Sequence, residues 1–307
     1  MKVVVTGGAG FIGGNLCRQL SASGHDVVAL DNLSMGRAEN LDGTDATLLE
    51  GDLCDPDTLD QAFDQAGAVV HLGAMGSVPR SLETPLLTHH NNATGTLQVM
   101  EAARRAGGIH TIVASSSSVY GATPDLPKHE SLPTRPMSPY GASKLATEWY
   151  ALAYQHSLDL PVLAFRFFNV FGPLQPADHI YAAVIPRFID AALDGRALTV
   201  YGDGKQSRDF TYVDTVCATI VDAVNRQVTS PEPVNLAFGQ PVTLLELVDL
   251  LQELLDMELA VDHLEPRAGD IRHSDAASAR LYELFPDTSP VPLRAGLQTT
   301  IDWFRQP

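Results

Sequence analysis

No stretch of this sequence approaches the roughly 20 uninterrupted apolar residues that a membrane-spanning helix requires, so a transmembrane protein is not expected. The amino terminus passes straight into the strand-like Val3-Val4-Val5 without the charged and apolar regions of a secretory signal, and a cytoplasmic location is the expectation. Cysteine is sparse and odd in number. Cys17, Cys54 and Cys217 lack metal-ligand spacing, which favours reduced packing residues over a disulfide or a zinc site, and no metal is expected. Lysine occurs only at Lys2, Lys128, Lys144 and Lys205, and the formal net charge is −17. Such a surface repels nucleic-acid phosphates and anionic membranes, so neither is expected as a partner. Any phosphate that binds therefore needs a local device. No internal repeat or low-complexity segment is present.

What is present is a chain of 307 residues, 45% of them apolar, enough to bury a large core in one or two domains. Short β-branched runs alternate with longer amphipathic segments. Residues 2–6, 26–30, 47–51, 68–72, 110–115 and 161–167 read as strands, and 11–22, 56–66, 85–106 and 139–157 as helices. This alternation predicts right-handed crossovers and a parallel sheet covered on both faces, a doubly wound, Rossmann-like α/β fold. Beyond that stretch, loops punctuated by Gly172-Pro173 and Gly202-Asp203-Gly204 replace the rhythm. A Rossmann-like domain over 1–170 and a smaller mixed α/β substrate-binding domain over 171–307 are expected, with some chain crossing between them. Open α/β sheets bind ligands at the carboxyl ends of their strands, so both parts are expected to share one cleft. Residues 244–255 have helical periodicity and read as a core-facing helix, and His89-His90 has no partner at metal spacing.

Between the first strand and the first helix stands Thr6-Gly7-Gly8-Ala9-Gly10-Phe11-Ile12-Gly13. Gly7 and Gly10 permit a tight turn and close backbone approach to a pyrophosphate. Gly13 lets the helix pack on the strand, and the helix amino terminus supplies partial positive charge. An acidic protein can hold phosphate in this way. Asp31 follows the second strand, about 20 residues on, where a carboxylate binds adenosine ribose hydroxyls and repels the extra phosphate of NADP. NAD is therefore the expected cofactor. A glycine-rich turn and a helix-capping Asp would explain either piece alone, but not both in this context. Asp52 and Leu53, after the third strand, are placed to meet the adenine, with capping of the next helix as the alternative for Asp52. Asn32 and Leu72 are counted in the same cofactor set.

Tyr140-Gly141-Ala142-Ser143-Lys144 lies on a predicted helix, where residues four apart share a face. A free tyrosine, with a pKa of about 10, is a poor base at neutral pH. The ammonium of Lys144 and the positive nicotinamide ring of bound NAD are expected to lower that value, so that Tyr140 accepts a hydroxyl proton while a hydride leaves the same carbon. Alone, the pair also fits an ordinary half-solvated helix face. The run Ala114-Ser115-Ser116-Ser117-Ser118-Val119-Tyr120-Gly121 begins where the fifth strand ends, a position for a hydroxyl that orients a substrate alcohol. A polar turn is its structural alternative.

Glycine loop, strand-end serine and Tyr-Lys helix, in that order, resemble the extended short-chain dehydrogenase/reductases, specifically the nucleotide-sugar epimerase and dehydratase family, over essentially the full chain. The resemblance implies Ser116, Tyr140 and Lys144 as the catalytic group, NAD held tightly and recycled, and an oxidised 4-keto sugar intermediate. In the family's 4,6-dehydratases the positions of Ser117 and Ser118 carry Asp and Glu, and its decarboxylases carry Glu at that of Ser118. A hydroxyl at its ordinary pKa cannot replace those acids, so dehydration and decarboxylation are disfavoured and 4-epimerisation is expected.

That reaction turns the sugar over in its pocket, so binding must be strongest at the nucleotide. The resemblance implies Asn169 on the diphosphate, and Arg208, Arg267 and Asp270 on the diphosphate and uridine ribose, the arginines through charge-assisted contacts. A structural salt bridge, such as Arg208 with Asp209 or Asp214, is the alternative for either arginine. Segments 75–81, 181–186 and 269–274 are similar to those of epimerases acting on UDP-N-acetylhexosamines, and they add Ser77, Ala183, Val184 and Ser274 to the substrate set, which also includes Ser117 and Tyr201. Ser274 stands where a bulky tyrosine narrows the pocket of some relatives. A small serine leaves volume for an N-acetyl group, which Ser77 is placed to hydrogen-bond. UDP-GlcNAc/UDP-GalNAc interconversion is the expected reaction, with UDP-glucose/UDP-galactose and UDP-glucuronate 4-epimerisation as alternatives. A non-catalytic NAD-binding redox sensor would keep the glycine loop and Asp31 without the Tyr-Lys pair. By the same resemblance, helices 85–106 and 139–157 pair across a homodimer.

Overall fold

The computed structural model describes residues 1–177, 182–265 and 272–306. Its strands, in chain order, are β1 (Lys2–Thr6), β2 (Asp26–Asp31), β3 (Thr47–Glu50), β4 (Ala68–His71), β5 (His110–Ser116), β6 (Val162–Phe167), β7 (Asn169–Phe171), β8 (Leu198–Tyr201), β9 (Ser207–Tyr212), β10 (Val234–Leu236), β11 (Pro241–Thr243) and β12 (Val261–Leu264). The helices are α1 (Phe11–Ala22), α2 (Pro56–Phe63), α3 (Val78–Glu83), α4 (Pro85–His89), α5 (Gly95–Arg105), α6 (Pro139–Leu158), α7 (Val184–Leu193), α8 (Val213–Arg226), α9 (Leu244–Leu255), α10 (Ala279–Leu284) and α11 (Leu293–Phe304).

Seven strands form one sheet in the order β10-β6-β5-β4-β1-β2-β3, every pairing parallel. The strand order reverses between β1 and β4, which opens a crevice at their carboxyl ends. Strand alternation divides the apolar residues between two cores. Val3, Val5, Ala68 and Val70 face one with Leu16 and Leu20 of α1 and Ile220 of α8, while Val4, Val69, Val162 and Ala164 face the other with Leu59 of α2, Met100 of α5 and Ala151 of α6. Both faces are covered, which is why β1 and β4 are continuous apolar runs rather than alternating ones. Each buried Val or Leu contributes roughly 1.5–3 kcal/mol. Cys17 and Cys217 sit in the first core with thiols pushed up by burial, and all three cysteines are free.

The first core continues without a break into Phe188 of α7, Leu247 of α9 and Ile301 of α11, and β10 rejoins the large sheet beside β6. Strands β7, β9 and β11 make a small mixed sheet, and β8 pairs with β12. The core-facing helix expected at 244–255 is α9, started by a capping box between Thr243 and Glu246. Two helices differ from the sequence pattern. The one expected over 56–66 ends at Phe63, because Gln65 takes a left-handed φ of 56°. The run over 85–106 is interrupted by a π-helical turn, His90–Thr94, and the Asn92 carbonyl accepts the hydroxyls of Thr96 and Thr147 as well as a backbone N–H at the end of the turn.

Candidate active site

The crevice at the strand ends is a cleft of about 560 Å³, within the range of small-molecule sites. One end is built from β1 and α1. Gly7 turns the chain with a left-handed φ of 66°, and a Cβ on Gly13 would lie 2.0 Å from the Gly7 carbonyl oxygen. Gly10 is the N-cap of α1 and offers no side chain to the helix start, so the first-turn N–H groups at Phe11, Ile12 and Gly13 remain for an anion in the cleft they line. At the end of β2 the Asp31 carboxylate accepts the Ala9 N–H at 3.0 Å and the Leu33 N–H at 2.9 Å, and burial raises its pKa. Asn32 donates to Asp52 Oδ2 at 2.9 Å, and Asp52 Oδ1 accepts the Cys54 N–H at 2.8 Å. Asp52 is not the helix cap: Asp55 fills that position on α2. Together with Leu53 and Leu72, these residues line a continuous cleft that reaches Tyr140 and Lys144. Its glycine cradle, uncapped helix start and paired acids fit a dinucleotide with a free adenosine ribose.

The other end is built from β5 and α6. Ser116 closes β5, and Ser138 caps α6 by accepting the Gly141 N–H at 3.0 Å, with Pro139 in the first helical turn. Tyr140 and Ser116 line the cleft side by side, close enough for the Ser116 hydroxyl to act on the phenol, and the Lys144 ammonium donates to the Ala114 carbonyl at 2.8 Å. The lowered Tyr140 pKa is an expectation for the site with NAD bound; without NAD, burial dominates. Burial raises the Tyr140 phenol above its ordinary value of 10, opposed by the Ser116 hydrogen bond, and Lys144 is itself lowered to about 8 by burial. Desolvation therefore outweighs the lysine charge in the protein alone.

Beneath this end lies a polar network that sequence reasoning missed. His71, fully buried at the end of β4, bonds Thr6 Oγ1 through Nδ1 at 2.7 Å and Thr96 Oγ1 through Nε2 at 3.0 Å. Burial, and secondarily the Lys144 charge, lower its pKa to about 3, so the imidazole is neutral at pH 7. Asn92 accepts the Met75 N–H at 2.7 Å and donates to Ser143 Oγ at 2.9 Å, tying a cleft wall to α6. The only sequence signal was polarity at strand and helix positions that must be buried. Met35, Gly36, Arg37, Asn40, Asn91, Gln175 and Trp303 also line the cleft. Backbone and side-chain bonds from Arg37 and Asn40 to the Ala9 carbonyl fold their segment over the glycine loop.

The expected substrate residues divide. Ala183 lines the cleft as the N-cap of α7, which Val184 opens. Ser77 caps α3 by accepting the Arg80 N–H at 3.2 Å, while Met75 and Gly76 line the wall before it. Ser117 opens a short 3-10 turn after Ser116. Asn169 on β7 donates to the Asp209 carbonyl at 3.2 Å, and Tyr201 ends β8. Arg208 on β9 donates to the Ser207 carbonyl at 2.9 Å, and Ser274 runs beside β9 with its N–H on the same oxygen at 3.0 Å. Arg267 and Asp270 lie outside the described residues. Among the described residues, no His, Cys, Asp and Glu group could hold a metal ion, and no helix is long and apolar enough to cross a membrane.

A family model described as the NAD dependent epimerase/dehydratase family matches residues 3–237. The chain is 36% identical to a UDP-glucose 4-epimerase of Mycolicibacterium smegmatis, over 99% of each. It is similar, at TM-score 0.93 and 37% identity, to the structure of a UDP-N-acetylglucosamine 4-epimerase from Methanobrevibacter ruminantium in complex with UDP-N-acetylmuramic acid, covering 99% of this chain and 97% of that one. A UDP-glucose 4-epimerase of Thermus thermophilus in complex with NAD gives a TM-score of 0.90 at 34% identity, over 99% of each chain. With a parallel sheet, a glycine cradle and a Ser-Tyr-Lys end in one cleft, the chain belongs to the NAD-dependent epimerase/dehydratase family.

Proposed function

We propose that this protein is a cytoplasmic, NAD-dependent 4-epimerase of UDP-sugars that works through a 4-keto intermediate and prefers the UDP-GlcNAc/UDP-GalNAc pair. The observation that carries the reading is that Ser116, Tyr140 and Lys144 line the same cleft as the glycine cradle and Asp31. NAD held along that cleft by the glycine cradle and Asp31 would supply the acceptor for a hydride from the sugar's carbon 4 and the donor for its return to the opposite face. Tyr140 Oη receives the 4-hydroxyl proton and gives it back, Ser116 Oγ aligns that hydroxyl, and Lys144 supplies positive charge beneath. Asp31 is placed to accept the ribose hydroxyls and the start of α1 to hold the pyrophosphate.

Ser117 and Ser118 provide no carboxyl group for elimination or decarboxylation, which favours return of the intermediate over its onward reaction. For the sugar, the small Ser274 and the 37% identity to an N-acetylglucosamine epimerase support the N-acetylated pair, while the 36% identity to a glucose epimerase keeps UDP-glucose as the second reading. Substrate-side roles are proposed for Ser77, Ser117, Asn169, Ala183, Val184, Tyr201, Arg208, Arg267, Asp270 and Ser274.

The experiment is incubation of the purified protein with a panel of UDP-sugars. A 4-epimer without net NADH supports the reading. A 4-keto-6-deoxy product would make it a dehydratase, and bound NAD without turnover would favour a sensor. We also propose a homodimer. What supports it is that Leu82 on α3, Leu86 on α4 and Trp149 on α6 are 65%, 85% and 56% exposed, on helices of which α6 packs against both others. Sedimentation of a monomer would contradict that part.

A further inference from the structure

Three consecutive residues of β5 grip the catalytic face of α6. The Ala114 carbonyl holds the Lys144 ammonium at 2.8 Å, Ser116 lines the cleft beside Tyr140, and Ser115, between those two strand residues, has its Oγ 2.9 Å from Glu148 Oε2. Tyr140, Lys144 and Glu148 are spaced by four and so share one helix face. Ser115 Oγ is also 3.3 Å from the Lys144 carbonyl. One hydroxyl carries one hydrogen, and the shorter, charge-assisted bond to Glu148 takes it.

Glu148 is in turn clamped from β6. Arg166 donates to it through Nε at 2.8 Å and through Nη2 at 2.6 Å, with the two side chains 3% and 0% exposed. The guanidinium lies 4.7 Å over the Tyr120 ring and also reaches the Glu130 carbonyl at 3.3 Å. Arg166 and Ser115 are register partners on adjacent strands, so one carboxylate joins β5, β6 and α6. Desolvation roughly cancels the attraction in a buried ion pair, and apolar side chains of like volume would pack as stably. What apolar packing cannot reproduce is the planar, two-bond fork, which fixes direction as well as contact.

We propose that Glu148, clamped by Arg166 and hydrogen-bonded by Ser115, is a positioning residue that sets the height of Tyr140 and Lys144 against the strand end carrying Ser116. The inference rests on the epimerase reading only for its kinetic readout. It predicts that helix position, rather than fold stability, is lost when the pair becomes apolar.

The test is the double variant Glu148→Leu/Arg166→Met, which leaves no lone buried charge. Its melting temperature should stay near wild type, while kcat falls about 10- to 100-fold, the loss expected from a misplaced catalytic group. KM for the UDP-sugar should barely change, and the acid limb of the kcat–pH profile should move to higher pH. A folded double variant with wild-type kcat and pH profile overturns the proposal. Should it fail to fold, Ser115→Ala keeps the ion pair and removes the strand's hold on it. The same kcat and pH changes are expected there, and their absence overturns the proposal equally. If the wild type epimerises no UDP-sugar, the functional reading fails instead. The positioning claim is then read from Tyr140 ionisation in the NAD complex, by ultraviolet difference absorption, which either variant should shift upward; no shift rejects it.

Discussion

Lys144 donates its ammonium proton to the carbonyl oxygen of Ala114 at 2.8 Å, while Tyr140, one helical turn before it, lines the cleft beside Ser116. Burial acts on the two groups in opposite directions, raising the phenol above 10 and lowering the ammonium to about 8. Both shifts favour the neutral forms. The protein alone therefore holds Tyr140 as a phenol at neutral pH, and its activation must come with the ligand.

Cofactor binding should accordingly lower the ionisation of Tyr140, because a positive nicotinamide ring in the cleft stabilises the phenolate. Ultraviolet difference titration of wild type against Tyr140→Phe, with and without NAD, reads this directly. The wild-type-specific ionisation should lie above pH 10 without NAD and move down with it. An unmoved or rising value would remove the electrostatic part of the mechanism.

Much of this architecture was visible in residue order. The Val3-Val4-Val5 run, the glycines at 7, 10 and 13 and the acid at Asp31 each obey a local rule, and α1 and α9 fall where periodicity and capping put them. The π-helical turn at His90–Thr94 was not visible, since it breaks a run of continuous helical pattern, and the Thr147 hydroxyl reaches the Asn92 carbonyl only after α6 has packed. Glu148 and Arg166 were hidden for the same reason: each reads as a surface charge until the fold buries both together. The raised Tyr140 pKa of the protein without NAD was not visible, because helical spacing reports proximity to Lys144 but not the loss of water.

His71 gives the protein an acid-sensitive limb. Its folded pKa, about 3, lies below its ordinary 6.5, so the unfolded chain binds more protons between those values. Its contribution to stability is complete above pH 6.5 and is lost as pH falls toward 3, on the order of 1.4 kcal/mol per pH unit. Denaturant melts of wild type and His71→Gln across this range should differ in slope, the variant being flatter. Parallel slopes would mean that the imidazole is not held neutral.

Gly13→Ala should expel the dinucleotide, because its methyl would lie 2.0 Å from the Gly7 carbonyl. Separating loop and helix costs about 1–3 kcal/mol, which corresponds to a loss of about 5- to 150-fold in NAD affinity. The NAD content of purified protein and calorimetric titration measure it. Retention of wild-type affinity would show that the loop does not hold the pyrophosphate.

Ser274→Tyr addresses the sugar. If serine leaves room for an N-acetyl group, the variant should lose about tenfold more kcat/KM on UDP-GlcNAc than on UDP-glucose. Equal losses on the two substrates would take Ser274 out of the specificity argument.

The central claim is that one phenol exchanges a proton with the sugar's 4-hydroxyl. Rates of UDP-GlcNAc and UDP-glucose 4-epimerisation by wild type and by Tyr140→Phe, compared at equal bound NAD, test it most directly. The account predicts conversion by the wild type and a loss of about a hundredfold or more in the variant, the scale of a missing acid–base group. A Tyr140→Phe protein that epimerises at the wild-type rate would contradict it.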